Sequence, residues 1–230
     1  MFERPHHRRI AGLLQALDAD LLATHCCLFG GGTAIALRHG EFRESVDIDF
    51  LVSDADGYRA MRQRLTGPAG IGAICRAGLA IEAARPIRAD QYGVRTMLKA
   101  EGADIKFELV REARIVLQAP GTEDRIAGVA TLTPLDMAAS KLLANADRWA
   151  DDAVHSRDLI DLAMMAPTKK LLVRAVAKAR AAYGDSVETE LRAAVDMLGR
   201  RRHRLDRCME ALQMSTVPKA LVWKRIKALL

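Results

Sequence analysis

Residues 28–52 read LFGGGTAIALRHGEFRESVDIDFLV, and they restrict what the chain can fold into more than any other stretch. A short apolar run ends at Gly30-Gly31-Gly32-Thr33, a helix-like segment follows from Ala34 to Arg38, and a polar turn leads to Ser45-Val46-Asp47-Ile48-Asp49-Phe50-Leu51-Val52. The last run alternates acidic and apolar residues, which is the pattern of a half-buried strand. Successive side chains of a strand point to opposite faces, so Asp47 and Asp49 share one face and Val46, Ile48 and Phe50 the other. Two carboxylates at this spacing beside a Gly-rich turn suit a hard cation such as Mg²⁺. The turn itself can bring backbone N–H groups and the Thr33 hydroxyl close to a phosphate. Glycines alone more often mark an ordinary tight turn, and a lone Asp-x-Asp is a weak signal. It is the turn, the helix and the Asp-x-Asp strand together that carry weight.

This combination resembles the polymerase-β-type nucleotidyltransferases, and within them the AbiEii/AbiGii-type toxin nucleotidyltransferases, which are similar to the MenT toxins. The resemblance implies an enzyme that moves a nucleotidyl group from a nucleoside triphosphate to an acceptor. Its expected cofactor is a pair of Mg²⁺ ions, with Mn²⁺ as a substitute. Gly31, Gly32, Thr33 and Ser45 would hold the nucleotide, while Asp47 and Asp49 would bind both ions. A third carboxylate is expected from a later strand. Glu108 is the candidate, on Asp104-Ile105-Lys106-Phe107-Glu108-Leu109-Val110, with Asp104 its rival on the same alternating face. A carboxylate on the outer face of a strand is usually just solvated, so this assignment comes from the resemblance.

A second stretch carries the same likeness: Lys141-Leu142-Leu143-Ala144, then Arg148, then Arg157-Asp158-Leu159-Ile160-Asp161-Leu162. It resembles the Lys … Arg … Arg-Asp-x-x-Asp-Leu pattern of these toxins. Lys141 would meet the triphosphate as a compact point charge, and Arg148, seven residues on, lies on the same helix face. Asp158 and Asp161 are neighbours at i and i+3. They would orient Lys141 and Arg148 or assist deprotonation of the acceptor, so Asp158 joins the catalytic candidates. The alternative is a structural ion-pair network between adjacent helices. The likeness spans roughly residues 28–165.

The rest of the chain reads as two parts. Residues 6–22 have helical apolar spacing through Ile10, Leu13, Leu14, Leu17 and Leu21, and Thr24 to Phe29 reads as a first strand. Asp54 is placed as a helix cap, for a helix running to about Leu65 and ended by Gly67-Pro68. Residues 70–132 read mainly as β, with strands at 81–83, 92–100, 104–111, 115–118 and 126–132 and a hairpin turn at Glu101-Gly102. Thr133-Pro134 opens a helical regime, with helices expected to about Trp149 and then over 154–165, 168–182, 186–198, 200–213 and 217–229. The expected architecture is an α/β (α+β) N-terminal lobe with a mixed sheet over 1–132, then an all-helical lobe over 133–230.

Charge and composition narrow the partners. From Thr168 onwards there are 15 Lys or Arg against 6 Asp or Glu, an excess of +9, while the remainder holds 20 basic and 23 acidic residues. A basic helical part points to a polyanion, and the family likeness makes tRNA the leading acceptor, with an antitoxin protein as a second partner. The tract Arg200-Arg201-Arg202-His203-Arg204 is a candidate backbone contact or an exposed helix start. Aromatics are only 4%, so no stacking platform for single strands stands out. No apolar run approaches the roughly 20 residues of a membrane span, and the N-terminus reads as an amphipathic helix, not a signal peptide. Cys26, Cys27, Cys75 and Cys208 match no zinc or redox spacing, which fits a reducing, cytoplasmic setting. Two other readings stay open: transfer to a small-molecule hydroxyl, and a nucleotide-binding protein without turnover.

Overall fold

The structure, a computed structural model, describes residues 2–230. These divide into two compact units: one runs up to Leu37 and then over Ser45–Thr133, the other comprises Arg38–Glu44 and Pro134–Leu230.

The first unit is α/β. Helix α1 (Pro5–Ala16) starts with proline near its first position and buries His7, Ile10 and Leu14. The helical spacing over residues 6–22 is interrupted because Asp18 caps a second helix, α2 (Ala19–Thr24), its carboxylate accepting the Leu21 N–H. The strand expected over 24–29 is accordingly cut to β1 (Leu28–Phe29): Thr24 closes α2, and Cys26 takes a positive φ of 52° that no strand accommodates. Helix α3 (Gly31–Arg38) begins inside the glycine turn, and β2 (Ile48–Val52) follows Asp47 directly. Asp54 caps α4 (Ala55–Thr66) by accepting the Gly57 N–H, as expected. The remaining strands are β3 (Arg88–Ala89), β4 (Gly93–Ala100), β5 (Ala103–Arg111), β6 (Arg125–Ile126) and β7 (Val129–Ala130).

Strands β1 to β5 form one sheet in the order β1-β2-β5-β4-β3, and β6-β7 is a separate pair. Within the large sheet β2 and β5 are parallel and the other pairs antiparallel, so it is mixed. Its apolar face is built around Phe29, Phe50 and Phe107, whose rings follow one another at 5.7 and 5.9 Å across β1, β2 and β5. Two expected strands do not form. Residues 81–83 contribute only a bridge from Ala83 to Leu98. In 115–118 the Leu117 N–H bonds the Ser53 hydroxyl, not a ladder partner, and Val116 is 80% exposed.

The second unit is helical: α5 (Pro134–Arg148), α6 (Arg157–Met164), α7 (Lys169–Tyr183), α8 (Ser186–Arg200), α9 (Arg204–Ala211) and α10 (Lys219–Lys227). Helix α6 starts three residues later than its spacing predicts because His155 and Ser156 are left-handed, at φ 53° and 52°. A left-handed His203 likewise delays α9 to Arg204. The Arg38–Glu44 segment is tied into this unit by the Glu44 N–H, which donates to the Leu212 carbonyl at 3.1 Å. Among the described residues no helix is long and apolar enough to cross a membrane.

Candidate active site

In the first unit the glycine turn closes directly onto the Asp-x-Asp strand. The Gly30 N–H donates to the Asp49 carbonyl at 2.8 Å. Gly31 has φ +66°, and a Cβ there would overlap the Asp49 carboxylate. Both demands select glycine: a left-handed backbone, and an acid packed against the α-carbon. Thr33 is 1% exposed, and its hydroxyl shares a 2.8 Å hydrogen bond with the Ser45 hydroxyl. Thr33 and Ser45 thus join the turn to the segment that leads into β2. Gly31 and Gly32 remain half-exposed at the start of α3.

Asp47 and Asp49 are both half-buried. Parallel register sets Glu108 of β5 opposite Asp49, whereas Asp104 pairs with Lys99 at the exposed hairpin end. Glu108 is held by cations on both oxygens: Arg95 Nε donates to Oε1 at 2.9 Å, and Lys106 donates to Oε2. Among the described residues no three His, Cys, Asp or Glu side chains gather closely enough to hold an ion. The donor set still fits a hard divalent cation at Asp47 and Asp49. Asp49 lies on β2 and Asp47 immediately before it, both offer oxygen ligands, and Asp47 has no hydrogen-bond or ion-pair partner among the described residues. Glu108, opposite Asp49, already has a basic donor on each carboxylate oxygen.

The second unit carries a different arrangement. Lys141 of α5 donates to Asp158 Oδ1 at 2.8 Å and to Asp161 Oδ2 at 2.7 Å. Arg148 engages both oxygens of Asp158, at 2.7 and 3.1 Å. Arg43, from the Arg38–Glu44 segment, grips Asp161 through Nε at 2.6 Å and Nη2 at 2.9 Å. Lys141, Asp158, Asp161 and Arg43 are 6, 2, 0 and 4% exposed. Three cations thus share two carboxylates, leaving a formal charge of +1. Burial disfavours the Lys141 ammonium, but Asp158 and Asp161 outweigh it and hold its pKa above the ordinary lysine value. Burial also works against the Asp158 carboxylate, yet Lys141 and Arg148 hold it well below the usual carboxylate range. Two of the three Lys141 donors are engaged, and Arg148 keeps Nη1 unengaged by Asp158.

Three residues that sequence reading passed over take part, Arg43, Arg95 and His7, the last by accepting the Ser45 N–H, while Lys106 was read only as sharing the Glu108 face. Arg95 faces Glu108 across the expected β4–β5 hairpin, 13 residues off, whereas the partners of Arg43 and His7 lie 118 and 38 residues away. The basic tract at 200–204 is divided. Arg200 pairs with Asp196, and both Arg201 and Arg204 pair with Asp152. Arg204 is buried, whereas Arg202 stands exposed.

A family model described as "Nucleotidyl transferase AbiEii toxin, Type IV TA system" matches residues 12–225. Solved structures with a similar chain trace include a candidate nucleotidyltransferase from H. pylori and JHP933 from Helicobacter pylori. Each is 16% identical at a TM-score of 0.43; they cover 98% and 99% of this chain, and 96% of either of theirs is matched. No curated protein matches.

Proposed function

Because this chain belongs to the AbiEii family of nucleotidyl transferase toxins of type IV toxin–antitoxin systems, we propose that it moves a nucleotidyl group from a nucleoside triphosphate to an RNA hydroxyl, with tRNA the foremost acceptor. The observation that supports this most directly is the packing of Gly31 against the Asp49 carboxylate. It sets the N–H groups that open α3 beside an acid able to hold a phosphate-bound cation.

Each residue has a defined task in this reading. Gly31 and Gly32 take the triphosphate on backbone N–H groups, and the Thr33–Ser45 hydroxyl bond fixes the turn that presents them. Asp47 and Asp49 would hold Mg²⁺, two ions with Mn²⁺ able to substitute, and Glu108, now bonded to Arg95 and Lys106, would be the third carboxylate. When bound, the metal supplies charge neutralisation and activation of the attacking hydroxyl. The acceptor oxygen bonds the α-phosphorus, the bond to the pyrophosphate oxygen breaks, and the hydroxyl proton passes to solvent. Lys141 and Arg148 answer phosphate charge with the donors their carboxylates leave open. Asp158, its pKa depressed, is a poor proton acceptor near neutrality, so its task is to orient Lys141 and Arg148.

An RNA acceptor is favoured over a small molecule by the surface of the helical unit. Lys169, Lys170 and Arg174 stand exposed at the start of α7 with no ion-pair partner among the described residues. An antitoxin partner follows from the family, and a cytoplasmic setting agrees with four free cysteines. The test is to incubate purified protein and Mg²⁺ with each labelled triphosphate and total RNA, then separate RNA, protein and small molecules. Label is expected in RNA, lost with Asp49→Ala. Label confined to another fraction overturns the acceptor. Triphosphate binding without transfer overturns the enzyme.

A further inference from the structure

Asp47 and Asp49 are fixed in different ways. Asp49 lies within β2, paired in register with Glu108, and its carbonyl accepts the Gly30 N–H. Asp47 precedes the strand, since the register begins at Ile48 opposite Phe107. What holds the two residues before Asp47 is a pair of histidines in the first turn of α1. The His7 Nε2 accepts the Ser45 N–H at 3.1 Å, in a bond buried on both sides. His6 Nε2 lies 3.1 Å from the Val46 carbonyl, so it is the donor there. The two rings therefore do opposite work. His7 presents a lone pair at Nε2 and so carries its proton on Nδ1, while His6 is protonated at Nε2. His7 is 0% exposed. The Ser45 hydroxyl is tied in turn to Thr33, so side chains from α1 and α3 grip the chain just before the first carboxylate.

We propose that His7, seconded by His6, is a positioning residue that sets the Asp47 carboxylate for metal binding. The proposal rests on the reading of Asp47 as a metal ligand. A buried N–H left without an acceptor is costly, so a variant lacking the His7 acceptor shifts Ser45 and Val46 to recover a partner. Asp47, one residue further, moves with them. Asp49 stays in its ladder. The pair then no longer presents two oxygens at one spacing, as happens when the outer partners of ligating groups are removed from metal sites.

The test compares wild type with His7→Leu, which loses the acceptor, and His7→Gln, whose Oε1 reaches the place of Nε2. Mn²⁺ affinity is read by titration on folded protein, beside kcat and KM for transfer. His7→Leu is expected to weaken Mn²⁺ about 10–100-fold, lowering kcat more than it changes KM for the triphosphate. His7→Gln is expected to recover most of that loss. Should His7→Leu not fold, His7→Asn, whose acceptor falls short of Ser45, takes its place. A folded His7→Leu that melts earlier but binds Mn²⁺ and turns over like wild type assigns His7 to the fold alone and overturns the proposal. So does a His7→Gln as defective as His7→Leu. Asp47→Asn is the control. If it too binds Mn²⁺ like wild type, the ligand reading falls and the proposal with it. If it loses Mn²⁺ while His7→Leu does not, only the proposal falls.

Discussion

Asp47 and Asp158 are the same residue type in similarly acidic motifs, one in each unit, and the protein treats them in opposite ways. Asp47 is half-buried and has no partner among the described residues. Asp158 is buried and shared by Lys141 and Arg148. A carboxylate left without a cation on a built surface retains its capacity to bind one. A carboxylate already shared by two cations has given that capacity up and can only hold those cations in place. Acidic spacing in a sequence does not distinguish these cases. What distinguishes them is whether folding brings basic side chains to the same point. Glu108 lies between the two: placed opposite Asp49 by register, yet held by Arg95 and Lys106.

The comparison breaks most visibly in activity against stability. Asp49→Ala should lower transfer by about 10⁴-fold, ~5 kcal/mol of transition-state stabilisation. It should leave the protein folded, since the ladder pairing of Asp49 and the bond from the Gly30 N–H to its carbonyl are made by the backbone. Circular dichroism melts beside a transfer assay check this. A folded Asp49→Ala with wild-type rates would remove Asp49 from the metal site, and an unfolded one would place it with Asp158 as a structural acid.

Asp161→Ala should do the reverse to the fold. Its carboxylate takes both Arg43 and Lys141 while fully buried. Removing it costs Arg43 a bidentate carboxylate and leaves Lys141 with Asp158 as its remaining carboxylate, so unfolding free energy should drop by about 3–5 kcal/mol. Chemical denaturation reads this directly. A drop below about 1 kcal/mol, the range of exposed pairs, would mean that the network stabilises no more than surface charges do.

The two units were also unequally legible. Local pattern revealed the Asp-x-Asp strand, the Asp54 cap, the β4–β5 hairpin and most of the helices, because each depends on spacing within a dozen residues. It misplaced 24–27 and 115–118, where an apolar run that looks like a strand is overruled by a cap, a positive φ or a side-chain bond. In the candidate site, Asp47, Asp49, Lys141 and Asp158 stand out by motif. Arg43 and His7 do not, since their partners lie 118 and 38 residues away. Thr33 shows a subtler limit. Its position in the glycine turn suggests phosphate, and only folding reveals that the hydroxyl faces Ser45.

A milder test uses pH. The Asp158 pKa is lowered in the folded protein. Its contribution is therefore fully present above the unfolded value near 4 and is lost as pH falls through the folded one. The Lys141 pKa is raised, so its contribution is fully present below the unfolded value near 10.4 and fades as pH rises through the folded one. Stability from the network should be flat between those limits and fall off outside them. Between pH 7 and pH 3 the wild-type melting temperature should drop several degrees more than that of Asp158→Asn, roughly 5 °C on the usual scaling. Equal drops would show that other carboxylates govern the acid limb.

The smallest expected effect sharpens the contrast within the helical unit itself. Arg202 and Arg204 sit two residues apart in one basic tract. Arg202 is exposed, while Arg204 is buried with its Nη1 2.7 Å from Asp152. If RNA is gripped here, Arg202→Gln removes at most one phosphate contact. The slope of log affinity against log salt should then flatten by about 0.7–0.9, with a loss of only a few-fold in affinity at moderate salt. The melting temperature should stay put, as for any exposed charge. Arg204→Gln should instead lower the melting temperature, because a buried side chain and its ion pair are lost together, and any weaker RNA binding would follow from the damaged fold. Filter binding across a salt series beside thermal melts separates the two. An unchanged slope in Arg202→Gln would take this tract out of the RNA surface and shift attention to Lys169, Lys170 and Arg174. A flattened slope in a fully stable Arg204→Gln would mean that its guanidinium reaches solvent after all, and the buried–exposed distinction within the tract would fail.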